Sequence, residues 1–438
     1  MKSLFRHMAV LALLLLSFGC SDDETGTHDP SAPVVVDQFY PKTGGVGTEL
    51  IITGSNFSAD PSQVSVKIGE TPLVVLNSDL NNIVAIVPPK LGSGPFEVSI
   101  AGGAPVRTEE SFSYIYSAMV STLAGTGEAG FANGSGETAM FNFKSFDGNG
   151  WMKGAICADE TGNVYVADIH NCLIRKITPD GTVSTLAGAL GVNENLDGMG
   201  ASAHVSNMVY GMDCDAEGNV WFVDTGSWLL RKATPDGVVT TVANCPFQPW
   251  YIRIDRKNEI AYMTVQDGST GLYQYDMKSG EFSDLITGQA YAAVAVADDG
   301  TLYVSHSTDN TIERVVRTGD GWSRERLAGN GTAGYADGPF AEAQFSFPRG
   351  LVINSVGDVF VAGNGSWDVV GNADQSIRRL NMAERTVETI AGSGTPGYMD
   401  GVGNATAFSD PQDVAIDGND VIYVFDRENN VIRKIIYE

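Results

Sequence analysis

The chain has 438 residues, 43% of them hydrophobic, and 53 acidic against 27 basic residues give it a net charge of −26. This length allows two or three domains. The strong negative charge disfavours nucleic acids and anionic lipid surfaces as partners, because like charges repel. Neutral saccharides, cations and basic proteins are compatible with this charge.

Residues 1–20 are organised like an export signal, with Lys2 and Arg6 ahead of an apolar run from Ala9 to Leu16. The run is too short to span a membrane. It ends in Ser-Phe-Gly-Cys at residues 17–20, which resembles the lipobox of bacterial lipoproteins. This resemblance implies a lipoprotein signal peptide with the lipid anchor on Cys20. The alternative is an ordinary secretory signal in which Cys20 has no role.

Residues 21–32 are predicted to be an acidic linker that begins Ser-Asp-Asp-Glu. Such an acidic tetrad resembles the surface-export signal of lipoproteins in gut bacteria that degrade glycans. The resemblance implies an outer-membrane lipoprotein exposed on the cell surface. A solvated linker without signalling content is the alternative interpretation.

Residues 33–116 contain short runs of alternating apolar residues separated by Gly, Pro and Asn, which is typical of a small β-sandwich. The segments PVVVDQFYPKTGGVGTELIITGSNFS and IVAIVPPKLGSGPFEVSIA resemble the IPT/TIG domain, an immunoglobulin-like module. The resemblance implies a spacer or a protein-contact domain, with no catalytic residues.

A phrase recurs through residues 119–438. It reads NVYVADIHNCLIRKITPDGTVSTLAG at 163–188 and NVWFVDTGSWLLRKATPDGVVTTVA at 219–243. The aromatic at its centre recurs six times, at intervals of 41 to 63 residues, as Tyr165, Trp221, Tyr262, Tyr303, Phe360 and Tyr423. Four-stranded propeller blades repeat every 40–45 residues, so the longer intervals indicate a blade plus an insertion.

The pattern predicts an all-β chain in which the immunoglobulin-like sandwich is followed by a six-bladed β-propeller. The last repeat ends after its third strand, and MVSTLAG at 119–125 matches the fourth-strand phrase VSTLAG at 183–188. The N-terminal strand is therefore expected to complete the last blade and close the ring, which removes exposed sheet edges. The repeat resembles the NHL repeat of six-bladed propellers.

The predicted insertions precede blades one, two, five and six, on the propeller face that also carries the loops between second and third strands. Loops on a rigid scaffold commonly carry binding residues. Aromatic residues gather on this face, and rigid aromatic rings suit the C–H faces of sugars. The aromatic ligand-binding candidates are Trp151, Tyr210, Trp228, Trp250, Tyr251, Tyr291 and Trp367. The alternative for each of them is packing between blades.

His170, His204 and His306 are further ligand-binding candidates, but they occupy different positions in their repeats and form no metal-binding motif. The recurring aspartates and arginines, such as Asp168 with Arg175, are interpreted as framework that ties the second strand to the third. Asp213 and Asp215 begin a segment that mimics a calcium loop, although it aligns with an ordinary hairpin turn. No metal site and no cofactor is predicted.

Four cysteines follow Cys20 and none belongs to a CxxC pair: Cys157, Cys172, Cys214 and Cys245. Small buried hydrophobes are the preferred interpretation. An exported location permits a disulfide, but the sequence does not reveal which cysteines pair.

These features favour a surface-anchored, non-catalytic binding protein that presents its elaborated loop face to a glycan or another neutral ligand. Outer-membrane importer proteins are the expected partners. A lyase or hydrolase at the channel mouth is the first alternative. A protein-interaction scaffold is the second, and the sequence does not separate the three. No GxSxG elbow and no P-loop signature is present.

Overall fold

The protein is described by a computed structural model that covers residues 27–143, 154–265, 270–319, 321–363 and 374–438. The chain forms two compact units that meet in sequence between Tyr116 and Ser117. Cys20 and the preceding signal segment lie outside the described residues.

The first unit is a β-sandwich of two sheets, with strand orders β1-β3-β7-β6 and β2-β9-β8-β4-β5. Alternation builds its core: in β3, Leu50 and Ile52 are buried whereas Ile51 faces solvent. Phe39, Phe96 and Phe112 pack together between the sheets. The strands are β1 (Val35–Tyr40), β2 (Thr43–Gly44), β3 (Glu49–Ser55), β4 (Val64–Ile68), β5 (Thr71–Pro72), β6 (Val74–Ser78), β7 (Asn82–Ile86), β8 (Gly94–Ile100) and β9 (Val106–Tyr114).

The second unit consists of six antiparallel sheets, each built on four consecutive strand positions, and this confirms the predicted six-bladed propeller. The closing strand β10 (Ala118–Ala124) comes first in the chain. Blades one to three contain β11 (Ile156–Ala158), β12 (Val164–Asp168), β13 (Leu173–Ile177), β14 (Val183–Ala187), β15 (Gly198–Met199), β16 (Val209–Cys214), β17 (Val220–Asp224), β18 (Leu229–Ala233), β19 (Val238–Asn244), β20 (Tyr251–Asp255), β21 (Ile260–Val265), β22 (Gly271–Asp276) and β23 (Glu281–Thr287).

Blades four to six contain β24 (Ala293–Val296), β25 (Leu302–His306), β26 (Thr311–Thr318), β27 (Gly321–Ala328), β28 (Gly338–Pro339), β29 (Pro348–Ile353), β30 (Val359–Gly363), β31 (Gln375–Asn381), β32 (Thr386–Gly394), β33 (Gly401–Val402), β34 (Pro411–Ile416), β35 (Ile422–Asp426) and β36 (Val431–Tyr437). The helices of the described residues are single 3-10 turns at Pro61–Gln63, Ile169–Asn171, Gly200–Ser202, Gly403–Ala405 and Arg427–Asn429. Within the described ranges, none is long or apolar enough to cross a membrane.

The ring closes where the sequence predicts. Strand β10 pairs antiparallel with β36, with Ala118 opposite Tyr437 and Thr122 opposite Arg433. The first strand of the unit thus supplies the outer strand of blade six, and both chain ends of the propeller are held in one sheet. This pairing confirms the predicted closure.

Four long loops, here called the straps, run from one blade to the outer edge of the next. They comprise residues 125–143, 188–208, 329–347 and 395–410. Three of them add a two-residue strand to an outer strand: β15 on β19, β28 on β32 and β33 on β10. In the first strap, Gly134 makes an isolated bridge to Val183 of β14. The insertions therefore cover sheet edges, which is a structural use for them.

A buried arginine in the third strand anchors each strap. Arg433 donates to the Met399 and Ala407 carbonyls, at 2.9 and 3.0 Å, and to the carboxylates of Asp400 and Asp426, at 2.6 and 2.8 Å. Its guanidinium carbon lies 5.1 Å from the ring centroids of both Tyr398 and Phe408. The corresponding arginines are Arg175, Arg231 and Arg378.

The framework interpretation of the Asp–Arg pairs is confirmed in blades one and six. Asp168 lies 2.6 Å from Arg175, and both side chains are fully buried. In blade two, Arg231 instead contacts Asp197 of the strap at 3.1 Å. Asp224 there accepts a hydrogen bond from the Ser227 amide, while its Oδ2 has no hydrogen-bond partner. The buried arginine therefore contacts its strap in each of these blades, whereas its ion pair with the second-strand aspartate is absent in blade two.

The six inner strands β11, β16, β20, β24, β29 and β34 surround the central channel. They approach closely: a Cβ on Gly211 would lie 2.6 Å from the Tyr251 Cα. Only glycine fits that contact, so the inner strands of blades two and three pack closely against each other there. A separate cavity lies at each mouth of the channel.

Candidate functional site

The inner strands begin at the mouth that carries the straps, here called the strap mouth. A cavity of about 30 Å³ lies there. It is lined by residues at the starts of the inner strands, contributed by all six blades: Gly154, Tyr210, Trp250, Tyr251, Ala292, Ala293, Arg349, Gly350, Gln412 and Asp413. Three predicted aromatics therefore meet in one place.

Tyr210 and Trp250 form the aromatic wall of this cavity. Their ring centroids are 5.4 Å apart and the ring planes are tilted by 44°. Tyr210 is buried and Trp250 is half-buried. Burial raises the pKa of Tyr210 to about 12, so its hydroxyl is protonated at neutral pH and can donate a hydrogen bond.

The floor is a buried polar network that closes the channel. The Tyr251 hydroxyl donates to Asp413 Oδ1 at 2.7 Å, and Arg253 donates to the Tyr251 hydroxyl and to the Leu351 carbonyl. Arg253 also lies 3.6 Å from Asp213 Oδ1. Burial raises the pKa of Asp413 to about 6, although the positive charge of Arg253 opposes this shift. Because these groups satisfy one another, they hold the inner strands of several blades together.

Gln412 and Arg349 supply the polar side of the cavity. The Nε2 of Gln412 donates a hydrogen bond to Asp410 Oδ2 at 2.9 Å, so the amide oxygen Oε1 of Gln412 points away from Asp410. That oxygen is buried and has no hydrogen-bond partner. Burial lowers the pKa of Arg349 to about 10, against the opposing charge of Asp410. The cavity thus combines a buried acceptor, a cation and two aromatic rings.

Arg349, Gln412 and Asp413 were not among the residues predicted from the sequence. They occupy the same place in their blades as Tyr210 and Trp250, at the start of an inner strand. The signal was positional, because FPRG at 347–350 and DPQD at 410–413 each contain the last residue of a strap and the first residues of an inner strand. A search for aromatic residues at this position does not find these three residues, because their side chains are polar.

The other predicted aromatics lie elsewhere. Tyr291 is fully buried, its hydroxyl donates to Glu313 Oε2 at 2.8 Å, and its ring belongs to the apolar core shared by blades three and four. Trp228 is 47% exposed in the loop between β17 and β18 and does not line the cavity. Trp151 and Trp367 fall outside the described residues.

The three histidines occupy separate places. His170 lies in the 3-10 turn after β12, and His204 lies in the second strap, 3.1 Å from Glu194. His306 ends β25, with its ring centroid 5.5 Å from that of Tyr291. Across the described ranges, no three His, Cys, Asp or Glu side chains are grouped to hold a metal ion.

The segment that mimics a calcium loop is a hairpin turn. Asp215 Oδ1 accepts hydrogen bonds from the backbone amides of Glu217 and Asn219, and Asp213 Oδ2 accepts one from the Ile254 amide. Both carboxylates are therefore committed to the backbone, as the alternative interpretation expects.

A larger cavity, of about 750 Å³, opens at the other mouth. It is lined by the ends of the inner strands and by the turns to the second strands. Several of its carboxylates cap those turns: Asp255 accepts from the Lys257 and Asn258 amides, and Asp417 from the Asn419 amide. Arg256 is paired with Glu160. This cavity is large, but most of its charged side chains are engaged in capping turns or in ion pairs within the propeller.

Comparison with known proteins agrees with the architecture. Residues 33–114 match the family model described as the IPT/TIG domain. The chain is similar to Protein SUPPRESSOR OF QUENCHING 1, chloroplastic, of Arabidopsis thaliana, with 24% identity over 332 residues. The match covers 72% of this chain but only 27% of that protein.

Solved structures from Bacteroides share the fold. A Bacteroides thetaiotaomicron protein of unknown function superimposes with a TM-score of 0.65 at 21% identity, covering 94% of this chain and 100% of the other. An auxiliary nutrient binding protein from Bacteroides ovatus gives a TM-score of 0.56 at 20% identity, with coverages of 94% and 100%. At such identities the likeness shows the fold alone: an all-β chain with an immunoglobulin-like domain and a propeller.

Proposed function

We propose that this protein is a non-catalytic, surface-anchored binding protein whose ligand is a glycan or another neutral, hydroxyl-rich molecule held at the strap mouth. The observation that carries the proposal is a cavity lined by Tyr210, Trp250 and Gln412, in which the Oε1 of Gln412 is buried without a hydrogen-bond partner. A buried acceptor without a partner costs free energy, which a ligand hydroxyl would recover.

The cavity is small, and its size defines how a ligand would bind. A volume of about 30 Å³ is enough for one or two water molecules, or for a hydroxymethyl group. The ligand therefore lies across the mouth with one such group inserted beside Gln412. The half-buried ring of Trp250 offers an apolar surface to the C–H face of a sugar ring.

Three further observations support this assignment. Two Bacteroides proteins of the same fold, with TM-scores of 0.55 and 0.56, carry the name auxiliary nutrient binding protein. The resemblance of residues 17–24 to a lipobox and an export signal supports a location on the outer membrane with the lipid anchor on Cys20. An outer-membrane importer is the partner expected there. The net charge of −26 fits a neutral ligand better than a polyanion.

We further assign residues 1–20 to a lipoprotein signal peptide, 21–32 to an acidic linker, 33–116 to the IPT/TIG domain and 119–438 to a propeller of NHL repeats. The support for the NHL assignment is the repeated phrase with its buried arginine, which anchors the straps in blades one, two, five and six. In this arrangement the IPT/TIG domain acts as a spacer between anchor and propeller.

The test is a screen of the full chain, in detergent, against neutral polysaccharides and their oligosaccharides, followed by calorimetry on any hit. Changing Trp250→Ala or Gln412→Ala is expected to weaken binding at least tenfold, which corresponds to about 1.4 kcal/mol. Val356→Ser is the matched control, because Val356 is exposed at the other mouth. Binding that is insensitive to Trp250 and Gln412 but lost in Val356→Ser would overturn the site assignment.

A lyase or hydrolase is the second candidate function, and Asp413 is the observation that favours it. Asp413 lines the cavity, and burial raises the pKa of its carboxyl to about 6, which suits a general acid or base near neutral pH. Incubating the bound ligand with the protein separates the two functions. Product formation that Asp413→Asn abolishes while binding persists would establish catalysis, and an unchanged ligand would support binding alone.

A further inference from the structure

Two cysteines meet at the interface between blades one and two. Cys157 of β11 and Cys214 of β16 are both fully buried, and their Sγ atoms are 3.2 Å apart. A disulfide bond is about 2.05 Å long, so the sulfur atoms need to approach by only about 1.2 Å to bond. Both lie in a continuous apolar core together with Ala155 and Met212.

The facing arrangement follows from a one-residue offset between the blades. Cys157 pairs across its hairpin with Tyr165, whereas the residue opposite the equivalent Trp221 is Asp213, one position before Cys214. Successive side chains of a strand point to opposite faces, so Cys157 points towards blade two and Cys214 points back towards blade one. The same two positions of blades four, five and six hold Ala295 and Val296, Val352 and Ile353, and Ala415 and Ile416.

We propose that Cys157 and Cys214 form a disulfide in the mature protein and so lock the inner strands of blades one and two together. The reaction is thiol–disulfide exchange with a disulfide oxidant, either a thiol–disulfide oxidoreductase or oxidised glutathione. One cysteine thiolate attacks the oxidant and forms a mixed disulfide, releasing the first thiol of the oxidant. The second cysteine thiolate then attacks the mixed disulfide, forming the Cys157–Cys214 bond and releasing the second thiol.

Burial dictates when this reaction takes place. Neither sulfur is accessible in the folded propeller, and burial together with Cys214 keeps the pKa of Cys157 well above its usual value. An oxidant therefore meets the thiolates only while the chain folds, before blades one and two close on each other. The inference uses the proposed export only as the source of oxidant, and it does not depend on the ligand site.

The experiment is to refold the full chain with a mixture of reduced and oxidised glutathione, label free thiols in denaturant, and map the peptides without reduction. The expected result is one linked Cys157–Cys214 peptide and a mass about 2 Da lower, with Cys172 and Cys245 labelled. The folded, reduced protein should oxidise at least tenfold more slowly than the refolding chain. The proposal would be overturned if both Cys157 and Cys214 carried the thiol label after oxidative refolding, or if either were linked to another cysteine.

Two variants keep the result interpretable. Cys172→Ser/Cys245→Ser removes the two other thiols of the propeller and is expected to retain the link. Cys157→Ser/Cys214→Ser is expected to lower Tm by the order of 5 °C relative to the oxidised protein, because a cross-link over 57 residues restrains the unfolded chain. If the second variant does not fold, the peptide map of the first still decides the question.

Discussion

At the scale of the residue, the propeller depends on charges buried in pairs. The four arginines that anchor the straps have no solvent exposure, and each one is shared between strap carbonyls and carboxylates. Burying a charge is costly unless it is paired and hydrogen-bonded. The arginines therefore recur because each one holds a strap against its blade, and their recurrence does not indicate a ligand site.

We predict that Arg433→Ala lowers the free energy of unfolding by roughly 3–5 kcal/mol, because Asp426 then remains buried without its cation. Urea unfolding of the propeller measures the change. Arg317→Ala is the control, since Arg317 is exposed and its loss is expected to change stability by less than about 0.5 kcal/mol. Equal effects of the two substitutions would contradict the framework role.

The buried aspartates also give the stability a pH dependence. Burial raises the pKa of Asp374 to about 6, although Arg378 opposes the shift. In the unfolded chain the pKa of an aspartate is about 3.9, so between about pH 4 and pH 6 the folded protein binds more protons. The stability contributed by Asp374 is therefore present below about pH 4 and is lost as the pH rises towards 6.

Replacing Asp374 by Asn removes this dependence. We predict that the stability of wild type relative to Asp374→Asn falls as the pH rises from about 4 to 6.5 and is constant above that. Urea unfolding of both proteins at several pH values within this window provides the measurement. A difference that stays constant, or grows with pH, would show that the carboxyl is ionised throughout.

At the scale of the element, the closing strand β10 completes blade six and joins the first strand of the propeller to the last. Val120 is buried at 2% exposure, whereas the adjacent Met119 is 59% exposed and faces outwards. The alternation places the side chain of Val120 in the core shared by blades five and six and that of Met119 on the solvent side of the strand.

We predict that Val120→Asp lowers the free energy of unfolding by about 4 kcal/mol or more, because it buries an unpaired charge. Met119→Asp on the same strand is expected to cost less than about 1 kcal/mol. Amide hydrogen exchange should show faster exchange in β36 for the first variant only. If both variants behave alike, β10 is not an integral strand of blade six.

At the scale of the whole molecule, the channel has two unequal mouths separated by the Tyr251–Arg253–Asp413 network. The strap mouth holds the small cavity with its unpartnered acceptor, and the other mouth holds the larger cavity with its capped turns. Size alone would favour the larger cavity as the ligand site. The buried Oε1 of Gln412, which has no hydrogen-bond partner, favours the smaller cavity.

The net charge of −26 is also a property of the whole molecule. We predict that the protein does not retard a DNA duplex in gel electrophoresis at about 50 mM salt, because phosphates and the acidic surface repel each other. A basic peptide serves as the positive control. Saturable retardation that weakens with added salt would reveal a basic patch strong enough to overcome the overall charge.

The sequence by itself determined the architecture, because its signals are local. Alternating apolar residues, turn residues and the repeated phrase specify each strand from its neighbours, and the orphan strand at 119–125 specifies the closure. The pairing of Asp168 with Arg175 was also predictable, since the two residues recur at a fixed spacing.

Only the tertiary structure decided which side chains meet. Tyr210, Trp250 and Gln412 lie in three blades and converge because the ring brings the starts of the inner strands together. Cys157 and Cys214 face each other because of a one-residue offset that no local pattern reveals. The sequence specifies each blade through contacts within one repeat, whereas a site made of one residue per blade depends on contacts across the whole ring.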